Sequence, residues 1–318
     1  MNKLYMGIDT GSAFTKGVII DEYDNIIASV CLATEGDPIK ASKDAVNILH
    51  KSIDDECYRV VSVGTTGSAR KLIGTLFSAS VIENEIKAMV SGTLKIYPDA
   101  KTIFEIGSNN SKILLIDDGK IVDYNMNGLC MSGGGHFISS LAKRIGVSIA
   151  DVSRLAFEGN DNIDISSKCI FLAEEYMIGK LQEGYSKKDI MSSACKLVAV
   201  NYVNDVIRKR KIHGPIVFNG GVSKNQAVLK NLEAMLGETI TVSRNAHLIG
   251  AFGVAIMARE SKGEQLFDFN VDAYNIETKL ESCTKCNDNC LGVAVYKNDN
   301  LIDSWGYRCS KSDMIKNV

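Results

Sequence analysis

Three features are scarce in this 318-residue sequence, and each scarcity excludes a class of protein. Only three residues are proline, so few of its linkers are stiffened by proline. The 36 basic and 38 acidic residues leave a net charge of −2, which gives no bulk attraction for nucleic acid or an anionic membrane. No apolar run approaches the roughly 20 residues that span a bilayer, and residues 1–10 lack the pattern of a signal peptide. We therefore expect a folded cytoplasmic protein without nucleic-acid or membrane partners.

Cysteine, by contrast, is frequent: nine residues, four of them within the last 36. Thiols stay reduced in the cytoplasm, where cysteines are usually core residues, metal ligands or redox groups. Cys31, Cys57 and Cys195 stand singly, and we interpret them as filling residues without a chemical role.

The chain length favours two domains with a small appendage. A pattern of strand, polar Gly-containing turn, strand, turn and strand occupies residues 3–33 and begins again at Lys101, which indicates an internal repeat of architecture. Helical patterns cover 39–55, 83–95, 134–145, 149–156, 169–182, 187–210, 223–236 and 246–260. We predict a first subdomain of residues 1–95 plus 246–263, a second of 96–245, and a Cys-rich metal-binding appendage of 264–318.

Two predicted strands end in an acid followed by glycine and serine: Asp9-Thr10-Gly11-Ser12 and Glu105-Ile106-Gly107-Ser108. Glycine lets backbone N–H groups approach phosphate oxygens, and the acid can hold a Mg²⁺-bound water. A third element, Gly220-Gly221-Val222-Ser223, follows a strand and opens a helix. Together these elements predict a nucleotide site. The sequence has neither the Gly-x4-Gly-Lys-Ser/Thr nor the Gly-x-Gly-x-x-Gly pattern, which argues against P-loop and Rossmann sites.

Two further cysteines, Cys130 and Cys169, precede predicted helices, where the helix dipole favours a thiolate. Two chains related by a two-fold axis, each giving two thiolates, would complete a four-cysteine cluster. From the residues alone, two unrelated core thiols remain the alternative.

The cysteine spacing of the tail is typical of a metal site. Its pattern is Cys283-x2-Cys286-x3-Cys290, with Cys309 beyond a predicted hairpin at 292–305. The hairpin would return Cys309 to the other three. Zinc and an iron–sulfur cluster both fit the spacing, and four exposed thiols on a tail are the alternative.

Several segments resemble the ATPase family of 2-hydroxyacyl-CoA dehydratase activators, which includes the ATP-binding subunits of benzoyl-CoA reductases. They occur in order between about residues 3 and 260, and together they are highly specific. The segments are GIDTGS at 7–12, TTGSAR at 65–70, NMNGLC at 125–130, GGGHF at 133–137, SKCIFLAE at 167–174 and VFNGGVSKN at 217–225.

This resemblance implies an α/β fold like that of actin, Hsp70 and sugar kinases (ribonuclease H-like), in a homodimer. It further implies one [4Fe-4S] cluster per homodimer, held by Cys130 and Cys169 of each chain. ATP and Mg²⁺ would drive a low-potential electron from a ferredoxin- or flavodoxin-like donor into an iron–sulfur acceptor protein, such as a 2-hydroxyacyl-CoA dehydratase. Because the family handles low-potential electrons, the resemblance slightly favours an iron–sulfur cluster over zinc at the tail cysteines.

The resemblance also assigns the nucleotide site. Asp9 and Glu105 would act as catalytic residues by holding the water shell of Mg²⁺. The cofactor-binding residues would be Gly11, Ser12, Thr15, Lys16, Gly107 and Ser108 at the phosphates, Gly133, Gly134 and Gly135 near the nucleotide, and Gly220, Gly221 and Val222 at the adenosine.

The second phosphate motif departs from the family pattern, which reads Asp-Ile-Gly-Gly-Gln-Asp-Ser-Lys. Here Glu105 replaces the first Asp, Asn109 and Asn110 replace Gln and Asp, and Met89 stands where the family often has His. We therefore predict slow ATP hydrolysis. The alternative functions are a sugar-type kinase with plain thiols and a non-catalytic nucleotide-sensing scaffold.

Overall fold

A computed structural model describes residues 2–54, 56–128, 134–160, 163–165, 169–261, 263–273, 276–284 and 286–308. The chain divides into two compact units, Met1–Gly92 with Gly250–Val318, and Thr93–Ile249. Residues after 263, predicted to form an appendage, fall with the first unit. In the described part of the chain, no helix has the length and apolar character needed to cross a bilayer.

The first unit is built on a five-stranded sheet with the order β3-β2-β1-β4-β5. Its core strand β1 pairs antiparallel with β2 and parallel with β4, and its apolar residues Leu4, Met6 and Ile8 are fully buried. The strands are β1 (Asn2–Thr10), β2 (Phe14–Ile20), β3 (Ile26–Ala33), β4 (Tyr58–Thr66) and β5 (Val81–Ile82). The helices of this part are α1 (Pro38–His50), α2 (Arg70–Leu76) and α3 (Glu85–Ile96), and α9 (Ile249–Glu260) follows later in the chain.

The second unit repeats this plan strand for strand, with the sheet order β10-β9-β6-β7-β8. Here β6 pairs antiparallel with β7 and parallel with β9, as β1 does with β2 and β4. The strands are β6 (Thr102–Ile106), β7 (Ser111–Asp117), β8 (Lys120–Met126), β9 (Ile216–Asn219) and β10 (Ile240–Val242). The architectural repeat predicted from the sequence is therefore present, although it is a repeat of strand arrangement and not of amino-acid identity.

Side-chain caps fix where the helices of the second unit begin. Ser186 and Asp189 form a reciprocal capping box at the start of α7, and the Asn225 side chain accepts from the N–H groups of Ala227 and Val228 at the start of α8. The helices are α4 (Gly134–Arg144), α5 (Val152–Glu158), α6 (Ile170–Gln182), α7 (Lys187–Asn201) and α8 (Gln226–Leu236).

The predicted helix over 187–210 is too long. The α-helix ends at Asn201 and continues as a π-helical turn over Tyr202–Ile207. Asn125 Nδ2 explains part of this change, because it donates to the carbonyls of Asp205 (3.2 Å) and Val206 (2.8 Å) and so satisfies groups beyond the α-helical ladder.

The tail forms a separate antiparallel sheet with the order β11-β12-β13. Its strands are β11 (Ile276–Ser282), β12 (Leu291–Lys297) and β13 (Asn300–Trp305), so the predicted hairpin is confirmed and β11 adds a third strand. The connection from α9 runs beside β4, since Phe267 N donates to Val60 O at 2.9 Å. Thr75 Oγ1 in α2 then donates to Asp303 Oδ2 in β13 at 2.8 Å, which ties the tail sheet to the first unit.

Candidate functional site

The turn after β1 places a carboxylate and a lysine side by side. Asp9 and Lys16 are cross-strand neighbours in the β1–β2 ladder, and Lys16 Nζ lies 3.1 Å from Asp9 Oδ2. The two side chains are 15% and 21% exposed, so the pair is only partly screened by water. Gly11 N donates to Phe14 O at 3.0 Å and closes the turn, while Ser12 is exposed at its tip.

Two glycines lie against the Asp9 carboxylate: Gly67, from the TTGSAR segment, and Gly250. A Cβ on Gly67 would come 2.6 Å from Asp9 Oδ1, and one on Gly250, in the first turn of α9, would come 3.1 Å from Oδ2. Gly67 is required as glycine, because its φ is +90° and a Cβ would also come 2.5 Å from Thr10 O. At Gly250 a Cβ would fit only if the Asp9 carboxylate moved by a few tenths of an ångström. Sequence reasoning missed Gly250, whose only signal was its place in an Ala- and Gly-rich helix.

Thr15 lies behind the turn rather than in it. Its side chain is fully buried, and its hydroxyl is 3.0 Å from Thr34 Oγ1, which also contacts Gly11 O at 2.9 Å. These contacts support the turn from the core side, and in this structure the Thr15 hydroxyl is not among the exposed groups of the turn.

The turn after β6 repeats the arrangement in the second unit. Glu105 and Lys112 are cross-strand neighbours, as Asp9 and Lys16 are, and Lys112 Nζ lies 3.0 Å from Glu105 Oε2. Gly107 N donates to Asn110 O at 2.8 Å. Lys112 was not singled out from the sequence, although the signal was present: it follows Glu105 by the same seven residues that separate Lys16 from Asp9.

Tyr202 supports the Lys112 strand from within the core. Its Oη donates to Lys112 O at 2.6 Å. Burial first, and then the nearby Glu105 carboxylate, raises the pKa of Tyr202 well above its ordinary value, so the phenol stays protonated and remains a donor.

The second turn is hydrogen-bonded to the start of α4. Gly135 N donates to Gly107 O at 3.1 Å, and His136 N donates to Ser108 O at 2.9 Å. A Cβ on Gly135 would come 2.7 Å from Gly107 O, and one on Gly134 would come 2.9 Å from Ile106 Cγ2. The glycines therefore let the helix start touch the turn directly. Gly133, the first of the three, lies outside the described residues.

The third predicted element follows β9. Gly220 has a φ of +87°, and its N–H donates to Ala246 O at 3.0 Å. A Cβ there would come 2.4 Å from Ile106 O, whereas a Cβ on Gly221 would meet nothing within 4 Å. Val222 is buried, and a short 3₁₀ turn over Gly221–Lys224 precedes α8 in place of the single helix predicted from 223.

The two predicted cluster ligands differ in what the structure describes. Cys169 is the N-cap residue of α6, half-buried, and its carbonyl accepts from Ala173 N at 2.9 Å. Its side chain makes no capping hydrogen bond. As the N-cap residue, Cys169 lies at the positive end of the helix dipole, which favours a thiolate. Cys130 lies outside the described residues.

The remaining described cysteines divide into buried and exposed ones, and none of the seven forms a disulfide. Cys195 is buried, and burial raises the pKa of its thiol to about 11, which fits a filling role. Cys31 and Cys57 are exposed, so neither fills space in the core: β3 is an edge strand, and Cys57 follows a turn.

In the tail, Cys283 and Cys290 are buried and Cys286 is exposed, while Cys309 lies outside the described residues. Over the residues that the structure describes, no three Cys, His, Asp or Glu side chains are already grouped to hold a metal ion.

A family profile matches most of the chain. Residues 6–258 match the BadF/BadG/BcrA/BcrD ATPase family. The chain belongs to this family. Its resemblance to the dehydratase activators is thereby confirmed. The matched region ends at residue 258, close to the last residue of α9.

Individual relatives agree with this assignment. An uncharacterised protein of Methanocaldococcus jannaschii is 29% identical over 80% of this chain, but the chain spans only 61% of that protein's length. The (R)-2-hydroxyglutaryl-CoA dehydratase activating ATPase of Acidaminococcus fermentans is 28% identical over 80% of this chain and 96% of its own.

Solved structures confirm the predicted actin/Hsp70/sugar-kinase-like α/β fold. The activator of the 2-hydroxyisocaproyl-CoA dehydratase from Clostridium difficile, with bound ADPNP, has a TM-score of 0.74 at 26% identity and covers 81% of this chain and 94% of that one. A ROK family glucokinase from Streptomyces griseus reaches a TM-score of 0.54 at 13% identity, covering 81% of this chain and 99% of that one, a likeness of fold alone.

In this family member an ion-pair clamp joins α4 to α6, the two helices that follow the predicted cluster cysteines. Arg144 Nη1 donates to Glu174 Oε1 at 3.1 Å and to Glu175 Oε1 at 2.6 Å, and Ser140 Oγ donates to Glu174 Oε1 at 2.9 Å. The two carboxylates, Glu175 foremost, raise the pKa of the Arg144 guanidinium. Glu174 is buried, whereas Glu175 is exposed.

We expect Glu174→Ala to loosen this clamp and Glu175→Ala to leave it in place. The first removes a buried carboxylate that two donors share, and the second removes an exposed partner whose pairing is weak in water. The expected fall in Tm is on the order of 2 to 4 °C for Glu174→Ala, with little change for Glu175→Ala, by calorimetry. Equal shifts for the two variants would contradict the clamp.

Proposed function

We propose that this chain is an ATP-dependent activator that delivers a low-potential electron to an iron–sulfur acceptor protein. The observation that carries the proposal is the hydrogen-bonded contact between the second carboxylate–lysine turn and the start of α4, the helix that follows Cys130. The activating ATPases and dehydratase activators among its relatives support the same role, and one of them binds ADPNP.

Each turn supplies one part of the proposed ATP and Mg²⁺ chemistry. Asp9 and Glu105 would hold the water shell of Mg²⁺, since carboxylate oxygens suit this hard cation. The glycine turns bring backbone N–H groups close to phosphate oxygens, and Lys16 adds a positive charge. The phosphate contacts would come from Gly11, Ser12, Lys16, Gly107 and Ser108, and Thr15 would act from behind the turn.

In the second unit, the proposed phosphate turn is linked to α4, the helix that follows Cys130 in the sequence. A shift of Gly107 and Ser108 on phosphate binding would move α4, because their carbonyls accept from Gly135 and His136. Cys130 precedes that helix in the sequence, and α4 is clamped to α6, which begins after Cys169. The nucleotide would thus bias a two-state arrangement of the cysteine-bearing helices.

Cys130 and Cys169 of each of two chains would supply the four thiolates that a [4Fe-4S] cluster requires, in a homodimer. When bound, the cluster would supply the one-electron carrier. The electron would enter from a ferredoxin- or flavodoxin-like donor and leave to an iron–sulfur partner of the dehydratase or reductase class.

Metal analysis tests the proposal directly. We would purify the full chain without oxygen and count iron, acid-labile sulfide and zinc per dimer. About four iron and four sulfide per dimer are expected from the shared cluster. No iron after anaerobic reconstitution would overturn the electron-transfer role. Sugar phosphorylation by the purified protein would then support the alternative of a sugar-type kinase. ATP binding without turnover, even with a reduced partner present, would support a non-catalytic nucleotide-sensing scaffold.

We expect wild-type ATP hydrolysis to be slow and the double substitution Asn109→Gln, Asn110→Asp to accelerate it. These changes restore the side chains that the family carries in this turn, an amide longer by one methylene at 109 and a carboxylate at 110. A gain on the order of tenfold or more in phosphate release is expected, the scale of one positioned polar or proton-transfer group. ATP affinity, measured by calorimetry, serves as the control and should change little. Equal rates in the two proteins would show that the turn does not limit hydrolysis.

A further inference from the structure

The tail sheet brings two of its cysteines face to face. The β11–β12 ladder ends at the pair Ser282–Leu291, and Cys283 N donates to Cys290 O at 2.9 Å, which extends the ladder by one residue. Opposed residues of an antiparallel pair project to the same face, with Cβ atoms about 4.5 to 5.5 Å apart. Both thiols are buried, and Cys286 lies in the loop that joins the two strands.

The third strand leads the chain back to the same end of this sheet. β13 runs antiparallel to β12, with Trp305 opposite Val293, so it finishes next to the start of β12. Cys309 follows Trp305 by four residues in the sequence.

Tyr307 provides an independent indication of a ligand at this end. Its ring packs on the Gly292 backbone, where an added Cβ would come 2.3 Å from Tyr307 Cε1. Its Oη is buried and has no hydrogen-bond partner within the described part of the chain. A metal-bound thiolate would accept a hydrogen bond from the Tyr307 hydroxyl.

We propose that Cys283, Cys286 and Cys290 bind one zinc ion per chain at this end of the tail sheet, and the cysteine spacing of the sequence offers Cys309 as the fourth thiolate. The proposal goes beyond the activator function and does not depend on the shared cluster. Four thiolates at suitable spacing make a closed structural zinc site.

Geometry favours one metal ion over an iron–sulfur cluster. Two sulfurs on a tetrahedral zinc, each about 2.3 Å from it, lie roughly 3.8 Å apart. Opposed ladder positions such as Cys283 and Cys290 allow that spacing. A four-iron cluster takes one cysteine at each iron corner and so spreads its sulfurs further apart.

Metal binding would also complete the local fold. Cys286 is exposed and not grouped with the buried pair, so zinc would draw its loop towards the ladder end, which couples metal binding to folding. The Thr75–Asp303 hydrogen bond links the tail sheet to α2. The start of α2 follows Gly67, which lies against Asp9. Zinc loss is therefore expected to lower Tm.

The test compares metal content in four full-length proteins purified without oxygen: wild type, Cys283→Ser with Cys290→Ser, Cys130→Ser, and Cys57→Ser as an exposed-thiol control. About one zinc per chain is expected in every protein except the tail variant, which should lose at least four-fifths of it. Cys130→Ser should lose iron and keep zinc, so failure of the shared cluster and failure of the tail site give different results.

Two outcomes would overturn the zinc site: loss of iron instead of zinc in the tail variant, which indicates a cluster, or unchanged metal content. If the tail variant is insoluble, cobalt substitution decides. The Cys130→Ser protein, stripped of metal and loaded with Co²⁺, should show thiolate-to-cobalt charge-transfer absorption at about one cobalt per chain. Absence of that absorption would equally reject the site.

Discussion

We expect replacing Cys169 by serine to remove the iron of the proposed shared cluster and to abolish electron delivery, while ATP still binds and the fold is kept. A serine hydroxyl does not replace a thiolate on iron, and each homodimer would lose two of its four ligands. The helix itself should tolerate the change, because Cys169 is the N-cap of α6 and makes no capping hydrogen bond, whereas serine is a favoured N-cap residue. The measurement is iron and sulfide per dimer, with Tm and ATP affinity on the same sample.

Cys57→Ser is the matched control for this loss. Cys57 is also a non-disulfide thiol, but it lies exposed after a turn of the first unit, and it carries no proposed ligand role. Its iron content should equal that of the wild type at about four per dimer. Cys130→Ser should reproduce Cys169→Ser. A Cys169→Ser protein that retains the full iron content would remove Cys169 from the ligand set and with it the shared-cluster geometry.

The sequence was sufficient for the parts of the fold that rest on local pattern. Strands β1 to β3 and β6 to β8 were readable because each triplet alternates apolar runs with short polar turns, and the acid-x-Gly-Ser ends located Asp9 and Glu105. Helix boundaries with side-chain caps, as at Ser186, were also close to the observed ones.

The rest depended on contacts between distant segments. The short elements α2, β5 and β10 have too few residues to show a period, and they are fixed by packing on neighbours. The end of α7 depends on Asn125, which lies far away in the sequence and takes two carbonyls from the helical ladder. Gly250 acquires its meaning only beside the Asp9 carboxylate.

The paired lysines suggest why both turns tolerate a largely buried carboxylate. Lys16 and Lys112 each stand opposite their acid in the ladder at 3.1 and 3.0 Å, so the charge is compensated within each unit. In the proposed nucleotide site, each acid would therefore keep a charged partner whether or not Mg²⁺ is bound. This repeated pair is the feature that the altered second motif keeps, although Glu105 replaces the usual aspartate.

Gly220 and Gly221 are adjacent in one motif, yet their alanine variants should fail in different ways. At Gly220 the φ of +87° and a Cβ only 2.4 Å from Ile106 O force the end of β6 or β9 to move. We expect Gly220→Ala to lose about 2 to 4 kcal/mol of unfolding free energy. At Gly221 a Cβ meets nothing within 4 Å, so Gly221→Ala should unfold at the wild-type temperature.

The two variants therefore separate architecture from nucleotide contact. A Cβ on Gly221 would project into open space, and the adenosine is proposed to bind there. Gly221→Ala should therefore weaken ATP binding and reduce the rise in Tm that ATP causes. Thermal unfolding with and without ATP measures both effects in one series. Wild-type stability in Gly220→Ala would contradict the close approach to Ile106. Wild-type ATP stabilisation in Gly221→Ala would remove Gly221 from the adenosine site, and Gly220 alone would then keep a role, in the close approach of β9 to β6.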